Sequence, residues 1–235
     1  NIFHDLNINT IATFYLLEKF NNVAKNSRII FASAAMIYGH VDKIPVNEAT
    51  FNSPPSLWSA SKLFSESYLK LFSNKHKLKC ISLRIPNIYG ASSRYEVFLR
   101  MTINQILLNV YKKNIINLYD NLDLCRDFIF IDDVVNAFVS VCHLNDHLFN
   151  GDYYVIGSNE KSSYRELANK INYIKDGRVN IVHNKKNNID YHEMRKYFAD
   201  ASKYNLDTKW HPKTSLFEGL KITLDYIESN YNEIK

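Results

Sequence analysis

The chain has 235 residues, 46% of them apolar, 14% aromatic and 23% charged, with a net charge of +5. This is globular composition with enough apolar content for a sizeable core, and it excludes disordered, collagenous and low-complexity classes. No run of about 18 apolar residues and no charged, apolar leader occurs, so neither a membrane span nor export is expected.

Apolar residues at Ile11, Phe14, Tyr15 and Leu17 recur at helical spacing, which predicts a helix over 9–20. Residues 28–33 form a short apolar run ending in small residues, the pattern of a buried strand. Past Pro54 and Pro55, residues 57–72 predict an amphipathic helix with Leu57, Phe64, Tyr68 and Leu69 on one side. Residues 79–85 read as a second strand, stopped at Pro86, which lacks the N–H that a ladder needs. A helix over 97–110 and a strand over 114–119 follow, and Asp132 is placed to cap a helix over 134–143. Residues 153–156 form a strand, and Ser163 with Glu166 spells a capping box for a helix over 162–174. A strand over 179–183 and a closing helix over 215–231 complete the series.

Strand and helix alternate through short links, which predicts an α/β fold: a parallel sheet with helices on both faces. The spacing loosens after about residue 90, where a second, interleaved lobe is expected. Cys80, Cys125 and Cys142 are odd in number and contain no CxxC, consistent with reduced thiols in the cytoplasm. The eight histidines show no ligand spacing, so no metal site is expected. The lysines are scattered rather than gathered on a stripe, which argues against a nucleic-acid partner. Six glycines occur, and no two are spaced for a phosphate-cradling GxGxxG turn.

Three segments stand where an open parallel sheet places its ligands, outside the carboxyl ends of strands. They are Ala32-Ser33-Ala34-Ala35-Met36-Ile37-Tyr38-Gly39, Trp58-Ser59-Ala60-Ser61-Lys62, and Leu83-Arg84-Ile85-Pro86-Asn87-Ile88-Tyr89-Gly90. Together with Asn9-Thr10-Ile11-Ala12-Thr13, the block from Arg126 to Val134, and Ala199 to Lys203 with Trp210-His211-Pro212, they resemble the NAD-dependent epimerase/dehydratase family. These are extended short-chain dehydrogenases/reductases that modify nucleotide sugars. The resemblance implies a Rossmann-like doubly wound parallel sheet with a smaller interleaved α/β substrate lobe. About residues 1–90 would be the remainder of the NAD-binding part. About residues 91–235 would be mainly the substrate lobe, with returns to the sheet. The family's glycine-rich amino-terminal part, on the order of 90 residues, has no counterpart here.

The resemblance also implies roles. Lys62 belongs to the family's Tyr-x-x-x-Lys helix, where the lysine stabilises the phenolate and holds the nicotinamide ribose. The tyrosine position is Trp58, and indole has no proton-accepting group. The Ser/Thr position falls on Ala34, and a one-residue shift would bring Ser33 into it. Asn9, Lys62 and Pro86 are the implied contacts to the cofactor, NAD or NADP. Asn87, Arg126, Glu193 and Arg195 are the implied contacts to the nucleotide sugar, with Arg195 a substitute for an arginine missing upstream of Glu193. Arg126 and Asp127 also admit a plainer reading as a surface ion pair, and Asn87 as a turn cap. A homodimer through the Asn9 and Leu57 helices is implied as well. Three readings follow: a family enzyme impaired at its catalytic dyad, a binding or dimerisation module without redox activity, and a non-functional truncated fragment.

Overall fold

The computed structural model describes residue 3 and residues 6–92, 94–119, 122–184 and 195–234. In chain order the strands are β1 (Arg28–Ala34), β2 (Lys79–Ile85), β3 (Asn87–Tyr89), β4 (Ile115–Leu118), β5 (Arg126–Phe130), β6 (Asn150–Val155), β7 (Lys161–Ser162) and β8 (Asn180–His183). The helices are α1 (Ala12–Val23), α2 (Leu57–His76), α3 (Tyr95–Phe98), α4 (Thr102–Lys113), α5 (Ile131–Val141), α6 (Tyr164–Ile174), α7 (Ser202–Thr208) and α8 (Leu216–Ile234).

These elements form two compact units. The first comprises Asn1–Pro86, Asn136–Ile156 and Ala199–Trp210; the second comprises Asn87–Val135, Gly157–Phe198 and His211–Lys235. In the first, β1, β2 and β6 make a parallel sheet in that order. Ser33 stands beside Arg84, and Ala34 beside Ile85, at the carboxyl end. Helix α2 lies across all three strands, and Leu17, Leu69, Phe72, Leu78 and Cys80 close the core beneath it.

The inward face of α2 differs from the apolar stripe expected of it. Leu69 and Phe72 point inward, but Leu57 and Phe64 face solvent, and the rest of the buried face is Ser59, Ser61, Ser65, Glu66 and Ser73. Small hydroxyl residues let the helix approach closely, and those of Ser59, Ser61 and Ser65 fold back on carbonyls of the preceding turn, while Ser73 donates to the Phe149 carbonyl outside the helix. Ser59 donates to Ser56, Ser61 to Trp58, and Ser65 to Ser61 and to Asn9. Ser56 caps the helix and shares a reciprocal capping box with Ser59. At Gly151 on β6 the approach is so close that a Cβ would lie 2.6 Å from Lys70 Cα.

The second unit holds the parallel pairs β3–β5 and β4–β8, with β7 antiparallel to β5. Its core gathers Tyr89, Phe98, Leu107, Phe128, Phe130, Leu167, Ile171, Leu220 and Leu224. The capping box at Ser163 and Glu166 forms as its spelling predicts.

Elsewhere the expectations need correction. The helix expected over 97–110 is broken between α3 and α4. The segment expected to open one helix at residue 9 begins as a π-helical turn, Leu6–Ile11. Asp132 does not precede its helix: α5 starts at Ile131, directly from β5, so Asp132 and Asp133 sit in the first turn. Asp133 instead accepts from the main-chain N–H groups of Lys213 and Thr214, at 2.8 and 3.0 Å. Strand β5 escapes a periodicity reading because it opens on two charged residues, Arg126 and Asp127. Both are buried.

Candidate functional site

The sequence-predicted residues fall into two clusters, one in each unit. In the first unit, Lys62 points to the carboxyl end of β1, where its Nζ donates to the Ala32 carbonyl at 3.0 Å. The amine lies 4.8 Å from the Phe31 ring centroid and 6.0 Å from that of Trp58, one helical turn before it. Burial lowers the Lys62 pKa, and the Glu66 carboxylate acts against that shift. Trp58 is 40% exposed beside it. Ala34 ends β1 and is buried, with no hydroxyl to offer.

Ser33 is buried, and its hydroxyl donates to Glu66 Oε1 at 2.5 Å. Glu66 also receives Arg84 Nε on Oε1 at 2.9 Å and Arg84 Nη2 on Oε2 at 2.6 Å. The side chains of this ion pair are 0% and 7% exposed. Arg84 Nη1 donates to Asn52 Oδ1 at 2.7 Å, and the guanidinium lies 3.5 Å from the Tyr153 ring centroid and 4.7 Å from that of Tyr38. Burial pushes the Tyr38 and Tyr153 phenols up, away from the range of a general base at neutral pH.

Asn9 sits in the π-helical turn, where its carbonyl accepts from Thr13 and Ser65 at 2.6 and 2.7 Å. Pro86 follows β2 and is half-buried.

In the second unit, the Asn87 side chain donates to the Asp127 carbonyl at 3.0 Å, bridging β3 and β5. Arg126 and Asp127 are not a surface pair. Arg126 is buried in β5, its Nη1 donating to the carbonyls of Cys125 and Arg195, with the guanidinium 5.5 Å from the Tyr164 ring centroid. Asp127 accepts from the Ser158 N–H at 2.9 Å. Arg195 is 9% exposed, and its Nη1 has no hydrogen-bond partner among the described residues. Burial, reinforced by the Arg126 charge, pulls its pKa down to about 10. The Arg126 charge thus adds to the cost of burying the Arg195 cation. Glu193 lies outside the described residues.

Sequence reasoning missed Glu66 and Asn52. The signals were a carboxylate four residues past Lys62 on the same helix, and an arginine near the end of the strand Lys79–Ile85, between Leu83 and Ile85.

A family model described as GDP-mannose 4,6 dehydratase matches residues 4–223. The chain belongs to that family. This places it among the NAD-dependent epimerases and dehydratases to which its motifs pointed. A putative UDP-glucose 4-epimerase of Methanocaldococcus jannaschii is 24% identical to this family member over 231 residues, which are 98% of the chain and 72% of that protein. A dTDP-4-dehydro-6-deoxyglucose reductase of Escherichia coli is 28% identical over 210 residues, 86% of the chain and 62% of the relative. Among solved structures, a UDP-glucose 4-epimerase of Thermotoga maritima with UDP-glucose superposes with a TM-score of 0.86 at 25% identity, over 98% of the chain and 72% of its own. A dTDP-glucose 4,6-dehydratase of Bacillus anthracis in complex with NAD superposes with a TM-score of 0.81 at 23% identity, over 97% and 70%. The Rossmann-like fold class is thereby established.

Proposed function

We propose that the chain is a nucleotide-sugar epimerase/dehydratase-like protein that uses NAD, with NADP the alternative, and whose tyrosine-based redox chemistry is impaired as the sequence stands. The observation that carries this reading is the strand end itself. Lys62 points at it with its amine on the Ala32 carbonyl and Trp58 one turn before it, and the motif resemblance puts Trp58 and Ala34 at the positions of the family's base and hydroxyl. Lys62 together with the small side chains of Ala34 and Ala35 suits the nicotinamide ribose end of a dinucleotide, whereas none of the glycines is spaced to cradle a pyrophosphate. When bound, the nicotinamide accepts a hydride. The sugar hydroxyl must also lose a proton, and Trp58 offers only an N–H donor in that position. Ser33, one residue from the hydroxyl position, has its hydrogen committed to Glu66.

Nucleotide-sugar binding without turnover is the second reading. It is favoured by Arg126 and Arg195, whose adjacent buried charges suit a diphosphate. We further infer a cytoplasmic homodimer; among the described residues no helix is long and apolar enough to cross a membrane.

The test restores the dyad. Purified protein is denatured and assayed for released NAD or NADP. Trp58→Tyr with Ala34→Ser is then assayed with UDP-, GDP-, CDP- and dTDP-sugars. Cofactor-dependent turnover in the double variant alone is the expected result. Bound cofactor without turnover would show that more than the dyad is lost.

A further inference from the structure

The buried charged group that this reading leaves unused is Glu66. It lies four residues after Lys62 on α2, the spacing at which a lysine and a carboxylate pair along a helix. The pair does not form: Lys62 makes no ion pair among the described residues and donates to a main-chain carbonyl instead. Both oxygens of Glu66 are taken, Oε1 by Ser33 and Arg84 Nε, and Oε2 by Arg84 Nη2. The sheet sets this arrangement, because the β1–β2 register places Arg84 directly beside Ser33.

We propose that Arg84 is a positioning residue for Lys62: by gripping Glu66 through both oxygens, it withholds that carboxylate and leaves the Lys62 amine at the strand end unpaired by any counter-charge. A bidentate guanidinium outcompetes an ammonium for a carboxylate because two parallel N–H···O bonds form at once. The consequence is a cation that exchanges one carbonyl contact for a ligand hydroxyl without first breaking an ion pair. The inference deepens the reading above, in which Lys62 keeps its place, but its test needs neither cofactor nor sugar.

The charged group acting on Lys62 is Glu66 on its own helix; from β1 the amine meets the Phe31 ring and the Ala32 carbonyl, neither of which titrates. Trace acetic anhydride labelling across pH, read peptide by peptide by mass spectrometry, gives the titration midpoint of Lys62. In Arg84→Met the freed carboxylate pairs with Lys62, and the midpoint moves up by about one pH unit, roughly a tenfold loss of reactivity below it. Arg84→Lys retains part of the grip and stays nearer the native midpoint. Arg84→Met with Glu66→Gln returns the midpoint to the native value or below, since no carboxylate remains to pair. A purely structural role for Arg84 would instead loosen the fold and raise the midpoint in the double variant too. Should Arg84→Met fail to fold, Arg84→Lys, which exchanges the two-point grip for a single ammonium, carries the test and raises the midpoint by a smaller amount. The proposal is overturned by an unmoved midpoint in folded Arg84→Met, by a rise that persists in the double variant, or by an unmoved midpoint in Arg84→Lys where Arg84→Met does not fold.

Discussion

Arg195 illustrates how one residue links stability to ligand. Its pKa of about 10 lies below the ordinary arginine value of 12.5, so the folded state disfavours the cation. At neutral pH the residue is charged both folded and unfolded, and the penalty stands in full. Stability rises only as the pH climbs from about 10 towards 12.5, where the folded chain sheds a proton that the unfolded chain keeps. An anion beside Arg126 and Arg195 relieves the same penalty at pH 7. Nucleoside diphosphate at about 100 times its Kd should therefore stabilise the native protein by ~2.7 kcal/mol, raising Tm by ~5 °C or more. Arg195→Gln should lose that shift while melting no lower than the native chain without ligand, as differential scanning calorimetry can check. An undiminished shift in the variant would place the anion elsewhere. The placement of Lys62 and Ala34 at the carboxyl end of β1 was legible in the sequence, because chain spacing ties both to local motifs. The grip of Arg84 on Glu66 was not, because it joins a strand to a helix and depends on the register of β1 against β2.

At the scale of elements, the packing of α2 on β6 turns on Gly151. Its φ is +81°, and a Cβ there would lie 2.6 Å from Lys70 Cα and 3.0 Å from the Leu69 carbonyl oxygen. Backbone atoms on both sides leave no flexible side chain to yield. Gly151→Ala should cost about 2–3 kcal/mol, measurable by urea unfolding, through left-handed strain and forced separation of helix from strand. A loss below about 0.5 kcal/mol would mean that the helix has room to shift. Strands and helices were readable as types because their periods differ, and the capping box at Ser163 was readable as a local signal. The serine face of α2 was not. Hydroxyls that satisfy themselves on the preceding turn behave as small buried residues, while polarity scales count them as solvent-facing. Of the expected stripe, Leu57 and Phe64 were consequently assigned to the wrong face, while Tyr68 and Leu69 pack on the core.

For the molecule as a whole, those outward aromatics matter. Tyr15 on α1 and Phe64 on α2 are 63% and 58% exposed, with Leu57 and Leu16 nearby in sequence also exposed. Such residues on adjoining helices suit burial against a second copy. Phe64→Glu should leave the far-ultraviolet circular dichroism unchanged while converting a dimer to a monomer in sedimentation velocity. A native protein that already sediments as a monomer would defeat the dimer reading. The interleaving of the two units reaches further, to how the protein is made. Its ladder sets β6 beside β2, and Arg28 on β1 binds Asp146 across 118 residues. The first unit draws its last segment from Ala199–Trp210. On a ribosome adding about 5–20 residues per second, that unit stays incomplete for on the order of ten seconds or more after its first strand has emerged. For the first part of that interval, until β6 is made, β1 and β2 wait without it, so the nascent chain, more than the finished fold, is where this protein most needs a chaperone.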